Sequence, residues 1–239
     1  GNPVTVPAGS TVTVTLAWSG DANTDSDVSD FPLETTVVIG SGTDSVTVTA
    51  DDDYFKESAE DLIATITGVS DDNGNYVDAL PGNIANGYPT DSAAATTTIT
   101  DDADETNDTV YAVISVDDTA IEEGEQATFT VRLVDETGAT VTAPADADIT
   151  VNLTWSGDAY TASDVDEFAS LPSSVTLLAG TDSVTITASD DYFKEAAEDL
   201  TATITSVTDT GDDYELVKVG TIANGYKEDA DAADRKSVV

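Results

Sequence analysis

The feature that most restricts this chain is that it repeats itself. The segment "TLAWSGDA" (Thr15 to Ala22) returns as "NLTWSGDA" (Asn152 to Ala159), which places Trp18 on Trp155, 137 residues apart. "GTDSVTVTADDDYFKESAEDL" returns as "GTDSVTITASDDYFKEAAEDL", which places Tyr54 on Tyr192, 138 residues apart. "IANGY" then recurs at Ile84 to Tyr88 and at Ile222 to Tyr226. A period of this length is that of whole domains arranged in tandem. Gly1 aligns with Gly138, so the first copy has no counterpart of Val110 to Thr137, and the second runs out where the first still has "TTTITDD" (Thr96 to Asp102). The expected organisation is a first module over 1–102 lacking its first strands, an acidic junction over 103–109, and a second module over 110–239 with its last strand cut short. Opening inside a repeat and without an initiator Met, the chain reads as a fragment of a longer protein.

Within a module the apolar residues alternate. Phe129, Val131 and Leu133 form one such run; Ile149, Val151, Leu153 and Trp155 form a second. Val184, Ile186 and Ala188, then Leu200, Ala202 and Ile204, continue the pattern, with Thr or Ser between many of the apolar positions. Period two describes strands with one buried and one wet face. About seven such strands per module, punctuated by Gly, Asp and Pro, predict an all-β chain of tandem immunoglobulin-like antiparallel β-sandwich modules. No helix is expected. "FKESAEDL" and "FKEAAEDL" are read as acidic loops leading into the next strand.

Charge narrows the function. There are 48 acidic and 7 basic residues, a formal charge of −41. Nucleic acid and anionic membranes would be repelled over a Debye length of about 8 Å at physiological salt. Such a charge also opposes compaction unless a cation or a high-salt medium neutralises it. There is no Cys and no His, so disulfides, thiolate ligands, the usual zinc ligand and the usual general base are missing. No apolar stretch approaches 18 residues, so no membrane-spanning segment is expected.

The repeated "DDYFKE" carries two adjacent carboxylates and a third four residues after the second: Asp52, Asp53 and Glu57, then Asp190, Asp191 and Glu195. A further Asp lies upstream in each copy (Asp27 and Asp164), and the last strand of the first module runs into Asp101 and Asp102. In a sandwich these segments can reach one end. Carboxylates gathered there without Lys or Arg repel one another unless a divalent ion lies between them, and Ca2+ accepts six to eight oxygen ligands in flexible geometry. No EF-hand loop is present; "SDDNGNYVD" (Ser70 to Asp78) comes nearest and lacks the turn glycine at the required place. In the junction "DDADETND" (Asp101 to Asp108), Asp104, Asn107 and Asp108 remain to bridge toward the second module, as an ion-stiffened strut in place of a flexible tether.

Several other features have simpler readings. Trp18 and Trp155 end alternating strands and are expected to pack in the core; one ring of each Tyr-Phe pair at 54/55 and 192/193 is expected to do the same. The Thr-rich runs "TVTVTL" and "TTTIT" are wet strand faces. A glycosidase would need paired carboxylates across a cleft with aromatic subsites, and the acidic clusters lack these, so no enzyme activity is expected.

Taken together, "VYAVISVDDTAIEEGEQATFTVRLVDETGATVTA", "VNLTWSGDA", "SLPSSVTLLAGTDSVTITASDD" and "IANGY" resemble the immunoglobulin-like extender repeats of LapA-type RTX adhesins, large surface proteins of Gram-negative bacteria. The acidic "EEG" near a first strand, an Asp before a strand, "DD" with a following Glu, and a terminal "TDD" also resemble the Calx-beta calcium-binding pattern. The resemblance implies calcium ligation by Asp27, Asp52, Asp53, Glu57, Asp101 and Asp102 in the first copy. In the second it implies Glu122 or Glu123, Asp164, Asp190, Asp191 and Glu195. It further implies a calcium-stabilised extender on the bacterial cell surface, with calcium ions and neighbouring repeats as partners and no small-molecule substrate. The alternative reading is a carbohydrate- or surface-binding sandwich module.

Overall fold

The computed structural model describes residues 5–24, 26–40, 44–88, 93–101, 108–144, 147–162, 170–190, 192, 196–230 and 232–237. The chain divides into two compact units, Gly1–Asp52 with Glu57–Asp102, and Ala103–Val239 with the short segment Asp53–Lys56. The regular structure is nearly all strand, and no helix among the described residues is long and apolar enough to cross a membrane.

In the first unit, β1 (Val12–Ser19), β2 (Thr36–Ile39), β3 (Glu60–Asp71) and β4 (Ala94–Ile99) form one antiparallel sheet in the order β2-β1-β3-β4. Register is set by the alternation: Val12 and Val14 of β1 and Leu62 of β3 are buried, while the Thr residues of β4 are exposed. A small core of Ala22, Val28, Leu33 and Leu62 is flanked by Trp18, Val48 and Ile99.

The second unit is a two-sheet sandwich. Its strands are β5 (Thr109–Val116), β6 (Ala120–Ile121), β7 (Gln126–Val134), β8 (Ile149–Ser156), β9 (Ser174–Leu177), β10 (Thr181–Thr187), β11 (Glu198–Asp209), β12 (Leu216–Val219) and β13 (Ala232–Ser237). One sheet runs β10-β7-β5-β12 and the other β6-β13-β11-β8-β9. The inward positions read from the alternation close the core between them: Phe129, Val131, Leu133, Ile149, Val151, Leu200 and Ala202 are fully buried. Each large member contributes roughly 1.5–3 kcal/mol by leaving water. Trp155 meets the Phe129 ring edge-on at 5.1 Å, and its indole N–H donates to Pro172 O at 2.9 Å. Trp18 repeats that tie with Glu34 O at 2.8 Å.

The structure adds features that the alternation alone does not show. Near the end of the second unit, β13 pairs with β11 along Ala232 to Ser237, because a ladder needs backbone groups and not the Thr run of the first copy. Pairing is not wholly antiparallel, since β12 lies parallel to β5 and β13 parallel to β6. A helix does form, α1 (Asp158–Ala162), directly after Gly157. Single 3-10 turns occupy both "IANGY" motifs, capped by Asn83 and Thr221 and ended by left-handed Gly87 and Gly225. Asp53–Lys56 groups with the second unit, where the Phe55 ring lies 5.3 Å from that of Tyr214. Tyr192, in the second copy of the motif, is fully exposed.

Candidate metal centre

In the first unit, the turn between β1 and the following loop brings acidic residues to one end of the sheet. Gly20, in "WSGDA", has φ +106°, and a Cβ there would lie 1.8 Å from Asp61 O. Only glycine allows this approach, which holds Asp21 against the start of β3. Ala22 N–H donates back to Asp61 O at 3.3 Å. Asp27 is buried, and its backbone O accepts from Asp51 N–H at 3.0 Å, so the loop carrying Asp27 is stitched to the segment that ends in Asp52. The Asp27 carboxylate accepts from the hydroxyls of Thr24 and Ser26.

The residue facing Asp27 is one the sequence reading passed over. Burial pushes the Glu60 carboxyl above the usual range, and the neighbouring charges of Asp27 and Asp21, with a hydrogen bond shared with Asp27, push it further. Glu60 pairs with Ile99 in the β3–β4 ladder, so Asp101, two residues on, arrives at the same end. There Asp101 Oδ2 accepts from Glu57 N–H at 2.7 Å. The signal was available: "AEDL" repeats without change in both copies, and its Glu, at 60 and 198, opens a core strand each time.

The second unit repeats the arrangement. Gly157 has φ +111°, and a Cβ there would meet Asp199 O at 2.1 Å, which sets Asp158 beside the start of β11 and Glu198. Glu122 to Glu125 form a tight turn with left-handed Gly124 (φ +81°), closed by Glu125 N–H to Glu122 O at 3.0 Å. Gly124 N–H donates to Ala188 O and Ala188 N–H to Glu125 O, both at 2.9 Å, which clamps this turn to the end of β10 next to Asp190. A Cβ on Gly124 would lie 3.7 Å from Asp190 Cβ. Glu123 Oε1 is buried, and among the described residues no hydrogen bond reaches it.

Two further expected ligands are Asp53 and Asp108. Asp53 groups with the second unit, and its Oδ1 accepts from Phe55 N–H at 2.7 Å as part of a local turn. Asp108 is buried immediately before β5, which lies in the interior of its sheet. Asp71, in the loop nearest an EF-hand, spends its carboxylate on Tyr76 N–H at 2.7 Å and Asn73 N–H at 3.1 Å, which hold it below the usual carboxylate range. Asp102, Asp104, Asn107, Asp164, Asp191 and Glu195 lie outside the described residues.

Among the described residues no three carboxylates converge in a metal-holding group. The donor type nonetheless suits a hard cation, since Asp21, Asp27 and Glu60 interact through carboxylates, and among the described residues nothing hydrogen-bonds to Glu123 Oε1.

No family model matches the chain, and no curated protein does. Among solved structures, the chain is similar to the calcium binding domain CBD12 of CALX1.1, at 12% identity and a TM-score of 0.38, covering 96% of this chain and 87% of that one. It is also similar to FdeC, an Escherichia coli adhesin, at 16% identity and a TM-score of 0.29, covering 99% of this chain and 54% of that one. A third similarity is to domains 4 and 5 of the S-layer protein SbsC, at 14% identity and a TM-score of 0.24, covering 86% of this chain and 70% of that one.

Proposed function

We propose that this chain is a pair of calcium-stabilised structural modules from a bacterial cell-surface adhesin, serving as spacers that hold a distal binding element away from the cell. The reading is supported by Asp21, Asp27, Glu60 and Asp101 coming to one end of the sheet, where burial and the charges of Asp27 and Asp21 hold the Glu60 carboxyl above its usual range, and by the recurrence of the "WSGDA" and "AEDL" elements in the second unit. In a chain of net charge −41 this repulsion has a purpose if an ion relieves it.

Asp21, Asp27, Glu60 and Asp101 would hold Ca2+ in the first unit, with Asp52, Glu57 and Asp102 completing the set. Glu123, Asp158, Asp190 and Glu198 would do so in the second, with Glu122, Asp164, Asp191 and Glu195. The ion supplies charge neutralisation and a tie between loops that otherwise repel. It binds the folded state better than the unfolded one, so stability follows calcium concentration. Nothing in this role requires a substrate or a reaction. A module that would meet little free calcium before export and far more outside would stiffen where it is used.

Thermal melting in calcium and in chelator tests the reading. Calcium should raise the melting temperature by more than about ten degrees, equivalent to roughly 2–3 kcal/mol for units of this size. Magnesium, which demands tight octahedral geometry, should do much less. Coincident curves in calcium and chelator would remove the metal from the account.

A further inference from the structure

We propose that Asn73-Gly74, in the loop after β3, is a self-modifying site at which the chain converts its own asparagine to aspartate and isoaspartate, with water as the co-reactant. The backbone nitrogen of Gly74 attacks the side-chain carbonyl carbon of Asn73, and the new C–N bond closes a succinimide ring. The bond from that carbon to Nδ2 breaks, and ammonia leaves with the proton that the Gly74 nitrogen gives up. Water then adds to either carbonyl of the ring. The chain reopens as aspartate or as isoaspartate, in both cases with one more carboxylate.

The chain holds three Asn-Gly pairs, at 73/74, 86/87 and 224/225. All three are exposed, so access to water does not choose among them. Hydrogen bonding does. Asn86 and Asn224 donate from Nδ2 to Pro81 O at 3.0 Å and Val219 O at 2.8 Å, which holds the leaving group in place. Gly87 and Gly225 spend their N–H groups on Ile84 O at 3.0 Å and Ile222 O at 3.1 Å, each closing a 3-10 turn. In these two pairs nucleophile and leaving group are both engaged.

Asn73 is held the other way round. Its Oδ1 accepts from Thr11 N–H at 2.9 Å, which puts a backbone donor where negative charge develops as the nitrogen adds. Among the described residues no hydrogen bond holds its Nδ2. Gly74 N–H faces the Asp71 carboxylate, which also accepts from Asn73 N–H at 3.1 Å and Tyr76 N–H at 2.7 Å, so a proton acceptor stands beside the nucleophile. The loop does not need this asparagine. At the 138-residue offset the second unit builds the same turn on Asp209, which accepts from Asp212 N–H at 3.0 Å and Tyr214 N–H at 2.9 Å. There Gly211 replaces Asn73, and Asp212 (φ +61°) takes the left-handed place of Gly74 (φ +66°). Modification adds a negative charge next to Asp71 and Asp72, and the isoaspartate form lengthens the backbone at the tie that leads from Thr11 into β1.

The test is incubation of the whole 239-residue chain in mildly alkaline heavy-oxygen water, folded and in guanidinium, with peptide mapping by mass spectrometry. Each pair's rate in the folded chain is divided by its own rate in guanidinium, which removes the effect of neighbouring sequence. Asn73 should react faster folded than unfolded, because the fold supplies the Thr11 donor and the Asp71 acceptor. Asn86 and Asn224 should be slowed by about tenfold or more, because their amides are tied down. The Asn73 product should carry solvent oxygen and include isoaspartate. A folded rate at Asn73 below its unfolded rate, a ratio at Asn86 or Asn224 that matches it, or a product without solvent oxygen would overturn the proposal.

Discussion

Replacing Gly157 by Ala should unfold the second unit far more readily than its single methyl group would imply. Two costs combine. Residue 157 sits at φ +111°, where an L side chain costs about 1–2 kcal/mol. The new Cβ would also stand 2.1 Å from Asp199 O and 2.8 Å from the carbonyl carbon. That is about 1 Å too close, and the obstacle is backbone at the first residues of β11, which the ladder to β8 holds from Thr201↔Ser156 onward. Forcing such a contact adds about 1–3 kcal/mol. The total of about 2–5 kcal/mol corresponds to a fall of roughly 8 to 20 °C for a unit of this size. Gly124→Ala provides the internal comparison, since it shares the positive φ but meets nothing nearer than 3.7 Å, and should cost only about 1–2 kcal/mol. Circular dichroism melts in chelator, which isolate packing from ion binding, decide the matter. If Gly157→Ala melts no lower than Gly124→Ala, the close approach that positions Asp158 beside Glu198 is not a constraint on this fold.

Glu60→Gln should raise the melting temperature of the first unit in chelator, by removing a charge crowded against Asp27, and should weaken calcium binding at least tenfold by isothermal titration; a chelator melt that falls instead would contradict the repulsion. Without calcium, that raised carboxyl means the folded state holds its proton more tightly, so acidification from neutral pH toward the ordinary value of 4.5 should stabilise the first unit, as followed by a pH series of melts. Asp71, Asp117 and Asp135 act oppositely: their folded values lie below 3.8, so the stability they contribute is present above that pH and should disappear as pH falls through their lowered values. Burial, with Asp209 and Asp213 nearby, pushes the Tyr214 hydroxyl up to about 12, so the stability it contributes is present below pH 10 and should be lost between 10 and about 12, visible in the phenolate absorbance. Among the described residues that hydroxyl has no hydrogen-bond partner, so Tyr214→Phe should be neutral or stabilising by up to about 1 kcal/mol in denaturant titration.

What the sequence determined by itself was local or periodic. Alternation at Phe129-Val131-Leu133 and Leu200-Ala202-Ile204 dictated which face each strand buries, because side chains on a strand alternate whatever the partner is. The repeat declared the module, and the recurrence of "AEDL" was enough to name Glu60 and Glu198 had it been weighed beside "DDYFKE". The turn glycines at 20 and 157 were legible as glycines but not as points of close approach, since the obstructing carbonyls of Asp61 and Asp199 lie some forty residues on. Tertiary structure alone decided the remainder. Asp44 to Thr49 and Thr181 to Thr187 are almost the same peptide, yet only the second is a strand, because a strand's hydrogen bonds belong to its neighbour. Likewise Asp108 is an acidic residue of an acidic stretch by sequence and a buried one in the fold, because the strand it precedes lies in the interior of a sheet. Carboxylate chemistry is written in the residues; which carboxylates meet depends on where nonlocal ladders bring them.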